Sequence, residues 1–142
     1  MILCDVNVFV YASREESPSH SLIRAWLEKA LAADRPFAVS NLVLSAFLRI
    51  VTHPRIFRPP TPLAVALSFA EAVRSADNVV PVLPGPRHWD IFRRLCEATD
   101  ATGNLVSDAW FAALAIESGC EWITTDRDYA RFPGLRWRHP LR

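Results

Sequence analysis

Three aspartates lie where a carboxylate needs either a partner or a function. Asp5 directly follows an apolar start of four residues, Met1–Cys4, that is typical of a buried strand. Asp126 stands at the end of a second short strand pattern, and Asp108 lies inside an otherwise apolar stretch. A buried carboxylate is costly unless something pairs with it. The three acids therefore predict a metal site at the margin of the core.

Oxygen-ligated cations are the partners that such acids suit. Mg²⁺ takes oxygen ligands, keeps several waters and uses only a few carboxylates. Phosphodiester cleavage needs an activated water and a neutralised phosphate, and one or two such ions supply both. Asp128, two residues after Asp126, can join this ligand set, and Asn7 can form a hydrogen bond beside it. Metal-dependent hydrolysis of a phosphodiester is the chemistry that this set favours.

Each aspartate also has a purely structural interpretation. Asp5 could be a turn residue at a strand end, and Asp108 could simply suit the dipole at the start of a helix. Asp126 and Asp128 could be ordinary loop acids that form turns. The functional interpretation depends on the joint occurrence of these acids at strand and helix ends.

Length and composition indicate one globular domain spanning residues 1–142. Apolar residues make up 51% of the chain and charged residues 22%, which excludes a disordered protein. No apolar run approaches the roughly 20 residues of a membrane helix, and no secretory signal is present, so we expect a cytoplasmic protein without membrane contact. The net charge is only +1, so any surface that binds a polyanion must be local.

Prolines, caps and hydrophobic periodicity divide the chain into alternating helices and strands. The predicted helices run from Ser17-Pro18 to about Asp34, from Leu42 to Val51, from Thr61-Pro62 through Val73, from Gly85-Pro86 through Cys96, and from Leu105 to Ser118. The predicted strands are residues 1–4, 37–40, 79–83 and 122–125, with a last extended piece at 135–138. Pro81 places its strand near a sheet edge.

Strands separated by helices need crossover connections, which favour a parallel sheet. We therefore predict an α/β fold, a three-layer sandwich in which helices flank a mainly parallel sheet on both faces. Ligands bind such sheets outside the carboxyl ends of the strands. Asp5 and Asp126 both occupy carboxyl ends of predicted strands.

Three segments, in order, resemble the PIN-domain ribonucleases, and specifically the VapC-type toxins of bacterial toxin–antitoxin pairs. They are residues 1–7 (MILCDVN), 103–114 (GNLVSDAWFAAL) and 123–132 (ITTDRDYARF). Residues 47–57 (FLRIVTHPRIF) are similar to a signature in one branch of these toxins. The resemblance spans the whole chain in order and length, and it implies a PIN-like fold.

The resemblance also implies an activity and its partners. It indicates an endoribonuclease that depends on Mg²⁺ or Mn²⁺ and whose acids converge at one end of the sheet. Asp5, Asp108 and Asp126 match the metal-site aspartates of the family, and Asp128 matches a position that is often acidic or polar. The implied partners are an RNA substrate, a second copy in a homodimer, and a cognate VapB-type antitoxin that holds the enzyme inactive.

The second predicted helix departs from the family pattern. The family commonly has a glutamate there, whereas this chain has Ser45 and Ala46 at the corresponding place and no acid between Phe37 and Phe57. We expect the missing carboxylate to weaken metal binding. It also argues against a second ion, because two-metal sites share carboxylates between ions roughly 4 Å apart.

Arginines at the end of that helix are candidates for RNA contacts. Arg49, Arg55 and Arg58 form a compact basic group, and the planar fork of arginine suits phosphate. Such contacts position a strand without reading its sequence. Arg136 and Arg138, near the C-terminus, could instead meet an acidic partner tail or the antitoxin.

Two other functions are open at the level of sequence. Asp5 could be the covalent nucleophile of an aspartyl phosphohydrolase, although such enzymes typically have an acid two residues further on and a lysine near the phosphate. This chain has Asn7 at that place, and its only lysine is Lys29. Alternatively, the chain could be a catalytically weak or inactive PIN-like module that binds RNA or an antitoxin, because the helix glutamate is missing.

Overall fold

The computed structural model describes the whole chain, Met1–Arg142, as a five-stranded sheet with helices between the strands. The strands are β1 (Ile2–Cys4), β2 (Phe37–Val39), β3 (Val79–Pro81), β4 (Glu121–Ile123) and β5 (Trp137–Arg138). The helices are α1 (Val6–Ser13), α2 (His20–Leu31), α3 (Asn41–Val51), α4 (Leu63–Arg74), α5 (His88–Thr99) and α6 (Asn104–Glu117). A short 3-10 helix, Arg127–Arg131, follows β4.

Every strand pair is parallel, and the strand order is β3-β2-β1-β4-β5. The chain moves outward from β1 through β2 to β3 and then returns past β1 to β4. Parallel crossovers are almost always right-handed, so the outward and the return connections place their helices on opposite faces of the sheet. The predicted three-layer α/β fold is confirmed. None of the helices is long and apolar enough to cross a membrane.

The edge position of β3 confirms the prediction made from its proline. Pro81 has no N–H to donate, and β3 has β2 as its single neighbour. The strand ends at Pro81, two residues before the predicted end. Val82 N still donates to Val39 O at 2.9 Å, but Leu83 is exposed and has left the sheet.

Helix α1 lies in a segment where the sequence pattern predicts no helix. Five of its eight residues are buried, so it lacks the polar face that marks an amphipathic helix. Three of the eight are valines, whose branched side chains lower helix propensity. The helix forms because the Asp5 side chain caps it, accepting a hydrogen bond from Val6 N at 2.7 Å, and because the core covers it.

Two predicted helix starts are slightly early. The Ser17-Pro18 pair predicts the start of α2, yet the helix begins at His20 after Ser19, which has a left-handed φ of 54°. The Gly85-Pro86 pair similarly precedes α5, which begins at His88. In both places the proline lies in a turn before the helix rather than in its first position.

Phe47 joins three helices in the core. Its ring is fully buried, with its centroid 6.5 Å from the ring centroid of Phe9 in α1 and 5.0 Å from that of Phe69 in α4. This contact fixes how α3 is rotated against α1 and α4. The rotation decides which residues of α3, Ala46 and Arg49 among them, face the carboxyl edge of the sheet.

Replacing Phe47 by alanine should destabilise the protein by about 3–5 kcal/mol, because the substitution leaves a cavity where three helices meet. The measurement is urea unfolding followed by circular dichroism. Leu42→Ala is the matched control, since Leu42 lies on the same helix and is 48% exposed. Equal losses in the two variants would contradict the packing role assigned to Phe47.

Candidate active site

The three aspartates predicted to form a site line one cleft at the carboxyl edge of the sheet. Asp5 follows β1, Asp126 lies just beyond the end of β4, and Asp108 lies in the second turn of α6. Residues of α1 and α3 complete the walls, and the volume is about 500 Å³. This space is termed the acidic cleft below. The structure therefore brings together residues that are far apart in the sequence.

The carboxylate of Asp5 is held by three hydrogen bonds. Its Oδ1 accepts from Val6 N at 2.7 Å, and its Oδ2 accepts from Asn7 Nδ2 at 3.0 Å and from Thr124 Oγ1 at 2.7 Å. The residue is only 7% exposed. These contacts fix the orientation of a side chain that would otherwise rotate freely at the end of a strand.

Thr124 connects the two central strands at this edge. Its hydroxyl donates to Asp5, and the same oxygen accepts from Asn7 Nδ2 at 3.1 Å and from Asp126 N at 3.0 Å. Thr125 N in turn donates to Asn7 Oδ1 at 3.3 Å. The network sets the positions of Asp5 and Asp126 relative to each other. Sequence reasoning included Asn7 but missed Thr124, because a threonine in a strand gives no sign of its partner.

Tyr129 orients the third aspartate. Its hydroxyl donates to Asp108 Oδ1 at 3.2 Å, and the residue is 2% exposed. Burial and the nearby carboxylates raise the pKa of Tyr129 far above its ordinary value, so the hydroxyl keeps its proton and remains a donor. No local sequence pattern predicted a role for Tyr129. Its only signal was a tyrosine three residues after Asp126, in a segment expected to be a loop.

Asp5 and Asp108 resist ionisation because both are shielded from solvent and lie near other carboxylates. The pKa of Asp5 is raised from 3.8 to about 6, chiefly by burial and also by the charges of Asp108 and Asp126, while its hydrogen bonds to Thr124 and Val6 oppose the rise. The pKa of Asp108 is also raised, first by burial and then by Asp126 and Asp128, while the Tyr129 hydroxyl opposes the shift. The cleft therefore has a negative potential that its own hydrogen bonds do not neutralise.

Asp126 and Asp128 have different environments. Asp126 caps the 3-10 helix, since its Oδ1 accepts from Asp128 N at 2.8 Å, and it also lines the acidic cleft. Asp128 is exposed and is not among the residues that line the cleft. It acts on the cleft through its charge, which contributes to the raised pKa of Asp108.

Of the three candidate RNA-binding arginines, only one lines the acidic cleft. Arg49 lines the acidic cleft from α3 and is the only basic residue that does so. Arg55 and Arg58 are exposed in the connector between α3 and α4, and neither lines the cleft. The connector carries them beyond the end of α3, so their closeness in the sequence does not place them beside the aspartates.

Helix α3 contributes no acid to the cleft. It presents Ala46, Arg49 and Ile50, and the exposed Ser45 lies in a neighbouring groove. The gap expected from the missing glutamate is therefore present on the wall formed by α3. In addition, no three acidic, imidazole or thiolate side chains are grouped closely enough to hold one ion on their own.

A hard divalent cation still fits the donors that are present. Mg²⁺ commonly keeps several waters and is bound through one or two carboxylates. The raised pKa values of Asp5 and Asp108 come partly from repulsion between carboxylates, which a cation would relieve. The acidic cleft therefore suits a partly hydrated ion rather than one enclosed by protein ligands.

Lys29 does not support the phosphohydrolase interpretation. It lies on α2 and lines a different cavity with Ile2, Phe37 and Glu121, at the amino-terminal edge of the sheet. Asp5 lies at the opposite edge, and both of its carboxylate oxygens already accept hydrogen bonds. The lysine that such a mechanism places near the phosphate is therefore not near Asp5.

Comparison with known proteins defines the class to which this fold and cleft belong. The family model of the PIN domain matches residues 2–135. The chain therefore belongs to the PIN-domain family. Ribonuclease VapC25 of Mycobacterium tuberculosis is 46% identical over 140 residues, which cover 99% of each chain. Ribonuclease VapC31 of the same species is 45% identical over the same length and coverage. These relatives place the chain among the VapC ribonucleases of that family.

Solved structures share the fold at low sequence identity. VapBC-1 from nontypeable Haemophilus influenzae matches with a TM-score of 0.71 and 14% identity, covering 100% of each chain. VapC20 of Mycobacterium tuberculosis, described as a sarcin-ricin loop cleaving toxin, matches with a TM-score of 0.66 and 16% identity, covering 96% of this chain and 99% of that one. At such identities the likeness concerns the fold.

Asp5 should make the metal-free protein less stable as the pH rises. An acid whose pKa is higher in the folded state stabilises the fold below its unfolded pKa of 3.8, and this contribution is lost as the pH rises through about 6. The shift corresponds to a loss of about 3 kcal/mol across that window. Asp5→Asn should lack this loss in urea unfolding measured with EDTA between pH 4 and pH 7. The exposed Asp90→Asn is the control, and a wild-type profile in Asp5→Asn would contradict the assignment.

Proposed function

We propose that this protein is an endoribonuclease toxin that hydrolyses RNA phosphodiester bonds with Mg²⁺ or Mn²⁺ and is neutralised by a VapB-type antitoxin. One observation carries the proposal. Asp5, Asp108 and Asp126 line a single cleft in a chain that is 46% identical to ribonuclease VapC25 over almost its whole length. Hydrolysis would leave a 5′-phosphate and a 3′-hydroxyl.

Asp5, Asp108 and Asp126 would hold a partly hydrated ion in this mechanism, either directly or through its waters. A bound divalent cation lowers the pKa of a coordinated water and neutralises charge on the phosphate. Asn7 and Thr124 keep the Asp5 carboxylate in one orientation, and Tyr129 does the same for Asp108. This preorganisation matters because an aspartate that is already held in the right orientation binds the ion more tightly than one that must first be ordered.

Arg49 is the residue of this chain best placed to bind a phosphate in the acidic cleft. It is the only cation on the cleft walls, and its guanidinium can donate two parallel hydrogen bonds to phosphate oxygens. Asp128, outside the cleft, would bind the ion through water. Arg55 and Arg58, on the exposed connector, would contact the RNA backbone away from the reacting bond.

The partners are proposed from the relatives. Structures that share this fold include VapBC-1 from Haemophilus influenzae and VapBC2 from Rickettsia felis, the latter bound to a DNA fragment from their promoter. We infer that this chain likewise pairs with a VapB-type antitoxin and forms a homodimer. Membership of the VapC ribonucleases supports both inferences.

A second candidate function is a PIN-like module that binds RNA or the antitoxin and cuts slowly or not at all. The observation that favours it is that α3 itself adds no carboxylate to the acidic cleft, and that no three acidic side chains are grouped closely enough to hold an ion on their own. Isothermal titration with Mn²⁺ separates the two candidates. The nuclease requires measurable affinity that Asp5→Asn abolishes, whereas the binding module requires RNA affinity without any ion.

Asp5→Asn and Asp108→Asn should each lower the rate of RNA cleavage by more than about 100-fold, because each removes a charged oxygen ligand of the ion. The measurement is single-turnover cleavage of total bacterial RNA with Mg²⁺ or Mn²⁺. Asp90→Asn, which removes one exposed carboxylate on α5, should keep the wild-type rate. Metal-dependent cleavage that persists unchanged in both cleft variants would refute the proposal.

Ala46→Glu should tighten Mn²⁺ binding by about tenfold, since an added carboxylate on the cleft wall raises the ligand charge. Isothermal titration calorimetry measures the change. Leu42→Glu is the matched control, because it adds the same charge to the same helix but outside the acidic cleft. If both variants changed the affinity equally, the effect would come from net charge and not from the missing ligand position.

A further inference from the structure

A second cleft at the carboxyl edge of the sheet is basic. It has a volume of about 420 Å³ and is lined by Thr125, Arg127, Trp137, Arg138, His139 and Arg142. No acidic residue lines it. This space is termed the arginine cleft below, and nothing in the proposed nuclease mechanism uses it.

Two of its arginines carry charges that the protein does not neutralise. Arg138 pairs with Glu121 at 3.1 Å, and its Nη1 also donates to Arg142 O at 3.3 Å. Arg127 and Arg142 form no ion pair, and both are exposed. The cleft therefore combines the unpaired guanidinium groups of Arg127 and Arg142 with the guanidinium group of Arg138, which Glu121 holds in place.

His139 adds a hydrogen-bond donor to the arginine cleft. Burial and the charges of Arg142 and Arg127 lower its pKa, so the imidazole is neutral near pH 7. Its Nδ1 accepts a hydrogen bond from Leu141 N at 3.2 Å, which places the ring proton on Nε2. A neutral imidazole with an Nε2–H group can donate to a phosphate oxygen.

The strand register places this cleft next to the acidic cleft. Thr124 N donates to Arg138 O at 3.1 Å, so the end of β5 lies directly beside the end of β4. Thr125 lines the arginine cleft while its N–H bonds to Asn7 on the acidic side, and Arg127 directly follows Asp126. The two clefts are thus separated by one short piece of backbone.

We propose that Arg127, His139 and Arg142 form a phosphate-binding site for the RNA strand where it leaves the acidic cleft on the β5 side. The inference rests on the proposed function, since it assumes that an RNA phosphodiester lies among the aspartates. A polyanion approaching three carboxylates needs positive charge on both sides of them. Arg49 supplies it on the α3 side, and the arginine cleft supplies it on the opposite side.

RNA binding as a function of salt tests the proposal. Arg127→Gln with Arg142→Gln would be introduced into the Asp108→Asn protein, so that a short fluorescein-labelled single-stranded RNA is bound but not cut. Each lost phosphate contact should reduce the slope of log affinity against log salt by about 0.7, and affinity near 0.1 M salt should fall about tenfold. In the cleaving protein the same pair should raise KM and leave kcat unchanged.

Matched variants separate contact from net charge and from misfolding. Arg35→Gln with Arg94→Gln removes the same charge from an exposed loop before β2 and from the exposed side of α5, and should leave the slope unchanged. Arg127→Lys with Arg142→Lys should keep most of the slope, because the charge remains. The proposal is overturned if the two glutamine pairs behave alike.

Two further outcomes are distinguishable. If RNA affinity is unaffected by the 127/142 pair but is lowered by Arg49→Gln, the arginine cleft does not bind RNA while the proposed function stands. The same conclusion follows if the pair abolishes binding of a poly-glutamate peptide only, which would assign the cleft to an acidic protein segment. If the unsubstituted protein neither binds nor cleaves RNA, the proposed function fails first.

Discussion

The pairing of β1 with β4 is the constraint on which the site depends. Asp5 N donates to Ile123 O at 2.9 Å, and the Thr124 hydroxyl then reaches the Asp5 carboxylate at 2.7 Å. These residues are 119 positions apart, and they meet because the chain returns across the sheet after β3. A different strand order would leave each aspartate at the edge of the sheet but without the others.

Asp5 caps α1, yet capping alone does not explain an aspartate at this position. An N-cap residue stabilises a helix by about 1 kcal/mol, and serine or asparagine serves as well. The rise of the Asp5 pKa from 3.8 to about 6 lowers the free energy of unfolding by about 3 kcal/mol between low and neutral pH. The structural benefit is therefore smaller than the electrostatic cost. Service as a charged ligand of the proposed cation would give the aspartate a benefit that a neutral cap could not provide.

The sequence predicted the layers of the fold and the three acids of the cleft, because both depend on local patterns. Helix α1 was not predicted because it is buried on nearly all sides. It therefore lacks the alternation of polar and apolar residues that marks an amphipathic helix. The roles of Thr124 and Tyr129 were not predicted because their hydrogen-bond partners, Asp5 and Asp108, are distant in the sequence. No local sequence pattern encodes such a contact. Arg55 and Arg58 follow Arg49 closely in the sequence but do not line the acidic cleft with it, because they lie on the connector after α3.

In the proposed mechanism, both the ion and the basic side chains around the cleft would neutralise the charge of the RNA phosphates. Three aspartates and one arginine line the acidic cleft, and α3 adds Ala46 where a further acid would increase cation affinity. The same acid would also increase repulsion of a phosphodiester, which is itself an anion. Without that acid, the proposed ion would bind more weakly and an RNA strand would approach the cleft more easily. Arg49 and the arginines beyond β5 would then neutralise more of the phosphate charge. Fewer bound cations leave more of that charge to the guanidinium groups.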